Sequence, residues 1–147
     1  MPHPATPSCP LTLVTEGVEA CARAPIAQAD DSGKPPLRVF LCARVATASP
    51  GLATLPRQIL DEYVEHALRH AIDKGVAPFP WLGYGRVLDD QIEQDRAAAL
   101  AACLAWIAVA EEVWVYADLG VSGGMRGEIE AANARGIPVR WVHLFSK

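Results

Sequence analysis

From Leu37 onward, short apolar runs of strand length alternate with longer segments of helical periodicity, and this alternation is the strongest constraint on the fold. Arg38-Val39-Phe40-Leu41-Cys42-Ala43 is apolar almost throughout, the pattern of a strand covered on both faces. Pro50 and Gly51 mark a loop. Leu60, Val64, Ala67, Leu68, Ala71 and Ile72 then recur at helical spacing, with Asp61, Glu62, Glu65, Arg69 and Asp73 on the opposite face. Pro56 suits the start of this helix and Gly75 its end. Residues 76–79 predict a second strand. Asp89 and Asp90 are candidate caps for a second helix reaching about Ala110. The alanines of that helix, with Leu100, Leu104 and Trp106, predict burial on several sides. Val113-Trp114-Val115-Tyr116-Ala117 combines β-branched and aromatic residues and predicts a third strand. Ser122 is placed to cap a third helix that ends at Gly136, and residues 138–144 predict a last strand.

Strands and helices in alternation, joined by short links, imply a parallel sheet covered on both sides. The expected fold is an α/β three-layer sandwich with four or five parallel strands flanked by helices, Rossmann-like or flavodoxin-like. The 147 residues suit a single domain of this kind over residues 37–147. Residues 1–36 differ. Pro2, Pro4, Pro7, Pro10, Pro25, Pro35 and Pro36 oppose both helix and central strand, so this part reads as a flexible N-terminal extension.

The formal net charge of −4 argues against gripping long nucleic acid through its phosphates. The longest uncharged apolar stretch, residues 97–110, is too short to span a bilayer and is bounded by Arg96 and Glu111, so no membrane partner is expected. Met1-Pro2-His3-Pro4 lacks the basic and apolar regions of a secretory signal, which predicts a cytoplasmic location. The four cysteines form no C-x-x-C pair. His66 and His70 are spaced i, i+4 but fall on a polar helix face without a third ligand, so no metal site is expected. Patterns for a nucleophile elbow, a Walker A loop and a G-x-G-x-x-G turn are all missing.

In open α/β sheets, ligands bind outside the carboxyl ends of the strands. The most informative segment there is Asp118-Leu119-Gly120-Val121-Ser122-Gly123-Gly124-Met125-Arg126-Gly127-Glu128. Its glycines allow close approach of a ligand to backbone, and a helix start offers free N–H groups to an anion. Ser122 and Arg126 are candidate donors, and Glu128 lies near enough to face the same crevice. Asp89, Asp90 and Asp95 form a second acidic group. Paired carboxylates beside a glycosidic bond can divide the work, one meeting the sugar cation and the other handling a proton. Trp81 and Tyr84 are candidates to stack on a base. From spacing alone each of these also has a plain structural reading: Ser122 as a cap, the glycines as a turn, the acids on a wet face.

The runs PFPWLGYGRVLDDQIEQDR and EEVWVYADLGVSGGMRGEIEAANARGIPVRW resemble an uncharacterised bacterial and phage branch, a domain of unknown function, of the nucleoside 2-deoxyribosyltransferase-like superfamily. The likeness covers roughly residues 37–143 and is strongest from Val113 to Trp141. It implies that Glu128 is a nucleophile toward the anomeric carbon of a sugar, with Asp95 or Asp90 handling the proton of the base. Ser122 stands where deoxyribosyltransferases carry an Asp for the 5′-hydroxyl and related 5′-monophosphate hydrolases carry a Ser for the phosphate, so the resemblance favours a nucleotide. Gly123, Gly124, Arg126, Arg44 and Asp118 are further candidates for substrate and phosphate contacts. Neither a metal nor an organic cofactor is implied, and a homo-oligomer is. The first loop departs from the family pattern: Cys42-Ala43-Arg44-Val45-Ala46-Thr47 replaces the usual phosphate cradle. The expected function is therefore hydrolysis or transfer at the N-glycosidic bond of a (deoxy)nucleotide or nucleoside. The alternative is a non-catalytic nucleotide-binding or sensing module of the same fold, and a third reading is an assembly subunit that docks through residues 1–36.

Overall fold

The computed structural model describes residues 33–79, 84–89 and 91–145. The elements run β1 (Arg38–Ala43), α1 (Arg57–Asp73), β2 (Ala77–Pro78), α2 (Tyr84–Val87), α3 (Glu93–Ile107), β3 (Glu112–Tyr116), α4 (Gly123–Ala134) and β4 (Val139–Val142). The strands form one parallel sheet in the order β2-β1-β3-β4. This is the expected α/β sandwich, with four strands.

Alternation along β1 and β3 builds the layers. Val39, Leu41 and Ala43 point to one side with Trp114 and Tyr116, where they meet Tyr63, Val64, Ala67 and Ala71 of α1. Phe40 and Cys42 point to the other with Val113 and Val115, against Ile107, Met125 and Ala132 of α3 and α4. Both central strands are thus buried on both faces, which is why they read as unbroken apolar runs. The edge strands are shorter. The amides of Ala77 and Phe79 donate to the carbonyls of Leu37 and Val39 at 2.7 and 2.9 Å. Pro78 lies between them, so the position without an N–H faces the open edge.

α4 begins at Ser122 as the sequence predicts, and Gly75 and Gly136 take positive φ after α1 and α4. The second long helix differs from expectation. It starts at Glu93 with Ile92 as its cap residue. Asp89 instead accepts from the Gln91 amide at 2.9 Å, and its own amide donates to the Asp95 carboxylate at 2.9 Å. These local side-chain bonds hold a turn where helix would otherwise begin. The expected cap Asp90 lies outside the described residues, as do Trp81 and most of the N-terminal extension, residues 1–32. α2 forms one further turn between β2 and the second long helix. The burial expected around α3 is also corrected: Ile107 is its one fully buried residue, and Leu100 and Trp106 are exposed. One stripe of α3 suffices to cover its share of a narrow sheet, and the rest of its apolar surface faces outward. No helix among the described residues is long and apolar enough to cross a membrane.

Truncation in the core and at the rim should separate clearly. Phe40, 1% exposed and stacked on Phe79 with centroids 5.8 Å apart, should lose about 3–4 kcal/mol on replacement by Ala. The exposed Leu37 should lose less than about 0.5 kcal/mol. Urea unfolding of the two variants measures both.

Candidate functional site

The strand order reverses about β1: the chain leaves β1 for β2 on one side, then crosses back to β3 on the other. In open α/β sheets ligands bind beside such a reversal, which here places the candidate crevice at the carboxyl ends of β1 and β3. Two loops border it, residues 44–56 and residues 117–122.

Arg44, the first residue after β1, is 1% exposed. Its Nε donates to the Ala46 carbonyl at 3.0 Å and one terminal nitrogen to Leu119 at 3.3 Å. The other donates to Thr47 at 2.9 Å and Ala53 at 2.6 Å. The planar fork of donors suits several carbonyls at fixed angles, a geometry that a lysine does not offer. Arg44, expected at a phosphate, is here occupied in folding the first loop and tying it to the second. A further contact reinforces this tie. Gly120 has φ of +89°, a conformation that favours glycine, and a Cβ there would lie 2.7 Å from Leu52 Cδ2, so the leucine packs directly on this turn.

Asp118, also expected at the ligand, is engaged by the protein. Its carboxylate accepts from the Tyr63 hydroxyl at 2.5 Å and from the amides of Leu144 and Phe145 at 2.9 and 3.0 Å. The Tyr63 hydroxyl in turn accepts from the Asp118 amide at 3.1 Å. Burial by itself would raise the Asp118 pKa, but these donors outweigh it and hold the carboxyl below its ordinary value. The result is a clamp joining α1, the end of β3 and the segment after β4. Tyr63 was not singled out as polar in the sequence, although its place on the apolar stripe of α1 would have located it.

At the start of α4, the buried Ser122 hydroxyl accepts from the Met125 amide at 3.4 Å, while the Ser122 amide lies 3.4 Å from Met125 Sδ. Ser122 is therefore the cap that its sequence position suggested. Gly123 and Gly124 are exposed, and nothing lies within 4 Å of a Cβ built on either. Their φ values are negative, so the folded chain itself does not demand glycine there. Together they leave the first turn of α4 bare toward the crevice. Arg126 is exposed one residue beyond Met125.

Glu128 is partly buried in α4 and reaches toward β1. The Cys42 thiol lies 3.7 Å from the Met125 carbonyl and is close enough to the Glu128 carboxyl to influence it. Burial raises the Glu128 pKa to about 7, against a smaller lowering by the Cys42 thiol. Burial, then the charge of Glu128, pushes the thiol of Cys103 on α3 up to about 12, and the same two causes raise Cys42. Burial and the neighbourhood of two neutral thiols thus favour the protonated form of Glu128 well above the usual carboxylate range. Both neighbours escape sequence reasoning, because the pairing of a strand-one cysteine with a helix-four glutamate leaves no local trace.

The remaining candidates stand apart. Asp95 is engaged by the Asp89 amide and lies about 12 Å along the α3 axis from Cys103, the α3 neighbour of Glu128. Tyr84 packs in an aromatic group, its ring 6.2 Å from Phe79 and its hydroxyl accepting from Trp106 Nε1 at 3.3 Å. An apolar groove of ≈ 210 Å³ lies at the other end of the strands, lined by Phe40, Phe79, Trp106 and Val109 among others, with Arg38 its one charged residue. Without a carboxylate it does not match the expected chemistry, and the crevice at Glu128 remains the candidate site. Among the described residues no group of three or more His, Cys, Asp or Glu side chains is arranged to hold a metal ion.

Residues 43–142 match the family described as Domain of unknown function (DUF7768), a span that includes every site residue from Arg44 to Glu128. No curated protein and no solved structure matches the chain.

The raised pKa of Glu128 has a measurable consequence. The ordinary value is 4.5 and the folded value about 7, so between them the folded chain keeps a proton that the unfolded chain releases. Stability from this group is complete below about pH 4.5 and is lost as pH rises through 7. Glu128→Gln, always neutral, should therefore match wild type near pH 4 and exceed it at pH 8 by about 3 kcal/mol. Thermal melts at the two pH values test this.

Proposed function

The chain belongs to the DUF7768 family of domains of unknown function, and we propose that it is an N-glycosidic-bond enzyme acting on a (deoxy)nucleotide or nucleoside, with Glu128 as the group that meets the sugar. The observation that carries this reading is the carboxyl of Glu128, partly buried at the strand-reversal crevice with a pKa of about 7, beside the bare first turn of α4. A desolvated carboxylate loses the water that would screen it, so once ionised it is well suited to oppose positive charge developing at the anomeric carbon. The resemblance of the Val113–Trp141 run to nucleoside 2-deoxyribosyltransferase-like sequences supports the same assignment. Its Ser122 favours a 5′-phosphate, since an acid at that position would repel one.

In the proposed reaction the Glu128 carboxylate attacks C1′, the N-glycosidic bond breaks toward the base, and the base takes a proton. Water or a second base then releases the sugar from Glu128. Asp95, held in the first turn of α3 by the Asp89 amide, is remote from Glu128, so water is the source of that proton unless Asp90 supplies it. Gly123, Gly124 and Arg126 border the first turn of α4, where a phosphate would meet free amides.

A second reading is favoured by one specific observation. Arg44, Asp118 and Asp95 all bond within the protein, and the groups beside Glu128 are thiols. A crevice with a single carboxyl suits a module that binds and senses a nucleotide without cleaving it.

Incubation with ribo- and deoxyribonucleoside 5′-monophosphates and the matching nucleosides, followed by chromatography for free base, tests both. Under the first reading wild type releases base and Glu128→Gln does not, a loss of at least about 10³-fold. The rate should rise with pH and level off above about pH 7, as Glu128 ionises. Equal release by Glu128→Gln would remove the mechanism. Binding seen by calorimetry, without product from any substrate, would establish the second reading instead.

A further inference from the structure

We propose that residues 4–10 of this chain dock, as a polyproline II segment, in the apolar groove at the amino ends of β1 and β2. The groove is built of rings and aliphatic carbon. Phe40 stacks on Phe79, Trp106 lies against Phe79 with centroids 4.4 Å apart, and Pro78 and Val109 complete the walls. Trp106 and Val109 are 47% and 50% exposed, so this apolar surface is open to a ligand. Beside it the Tyr84 hydroxyl accepts from Trp106 Nε1 at 3.3 Å and keeps its own proton to donate. Arg38, the one charged residue of the lining, is paired with Glu111 at 3.7 Å. Aromatic-lined grooves take proline-rich segments, whose rings pack on the aromatic faces and whose preformed helix loses little entropy on docking.

The chain itself supplies such a segment. Pro4, Pro7 and Pro10 recur every three residues, one turn of polyproline II, and so share one edge of that helix. Residues 2–15 contain no Asp, Glu, Lys or Arg, which suits a lining of carbon. Tethering selects this occupant over a separate chain. The described chain begins at Gly33, and the exposed residues 33–37 lead straight into Arg38, itself part of the lining. Gly33 therefore lies within about 18 Å of the groove. Residues 11–32 span about 25 Å as a flexible coil, so the proline segment reaches the groove without being stretched. A tether of this kind presents it at an effective concentration on the order of millimolar, which a second copy does not match in dilute solution. The groove lies at the opposite end of the strands from Glu128, and the proposal is independent of the reaction assigned there.

Backbone relaxation of the nitrogen-15-labelled 147-residue chain tests this. The amides of Ala5, Thr6, Ser8 and Cys9 should have order parameters near the rigid-backbone value of about 0.85. Val109→Glu, which sets a charge on the exposed part of the lining, should lower them below about 0.6 with the circular dichroism spectrum unchanged. Pro4→Ala, Pro7→Ala and Pro10→Ala together should do the same and shift the Trp106 indole resonance. A peptide of residues 1–14 added to that triple variant should reverse the shift, and should leave wild type, whose groove is filled, unaltered. Disordered amides in wild type overturn the proposal. So does order indifferent to Val109→Glu, which would mean docking elsewhere. Order lost on dilution from roughly 500 to 20 µM, well below the tethered concentration, would mean that a second copy supplies the segment, and overturns it too. An unmoved Trp106 resonance in the triple variant would leave the groove to some other part of the chain, such as residues 80–83, and overturns it equally.

Discussion

The carboxyl-end crevice depends on the guanidinium of Arg44. Loop carbonyls at the top of a parallel sheet have no ladder to bond with, and burying them unpaired costs on the order of 1–3 kcal/mol each. Arg44 donates to the carbonyls of Ala46, Thr47, Ala53 and Leu119 with a single side chain, adding to the bond that Thr47 accepts from the Leu55 amide. It also draws the loop after β1 against the loop after β3, so the walls of the crevice are set by one group. The usual mode for a buried cation is a carboxylate partner; here four carbonyl dipoles surround it. The crevice is thereby pre-shaped by a positive charge lying just behind its surface.

The Asp118 clamp does the corresponding work on the opposite face of the sheet. Tyr63, Leu144 and Phe145 converge on one carboxylate, and aromatic contacts of Phe145 with Tyr63 and His66 pack over it. The two faces therefore carry opposite logic. On the α1 side, a depressed pKa marks a carboxylate that the structure has satisfied. On the α4 side, the raised pKa of Glu128 marks one that burial has left poorly solvated. Only the second is available to act on something other than the protein.

The fold was largely legible because its signals are local. The periodicity of α1, the apolar runs of β1 and β3, the Ser122 cap and the glycines after α1 and α4 each depend on neighbours in sequence. The start of α3 was misjudged by a few residues because Asp89 and Asp95 bond to backbone in a turn, a competition that residue type alone does not decide. The covering of α3 was overestimated because an alanine-rich helix reads the same whether its second stripe meets its own chain or open space. In the candidate site, Glu128 and Ser122 were identifiable from the strand-to-helix turn. The roles of Arg44 and Asp118 were not, since a polar residue at a strand end can face a ligand or bind loop carbonyls and amides, and only the loop conformations distinguish the two. The thiol setting of Glu128 arises from three elements distant in sequence.

The place of β1 in the sheet also governs how the chain reaches this state. β1, the first of the described strands, lies between both of its partners, yet its long neighbour is remote: Val39 pairs with Glu112 of β3. Its nearer partner, β2, spans two residues and offers little pairing. No local hairpin can nucleate such a sheet, so loop closure over most of the domain must precede its reward, and folding should be slow for a chain of this size. Until β3 arrives, Arg38–Ala43 is an unpaired strand with both faces apolar. That interval, more than the finished structure, is where the protein is most exposed to aggregation.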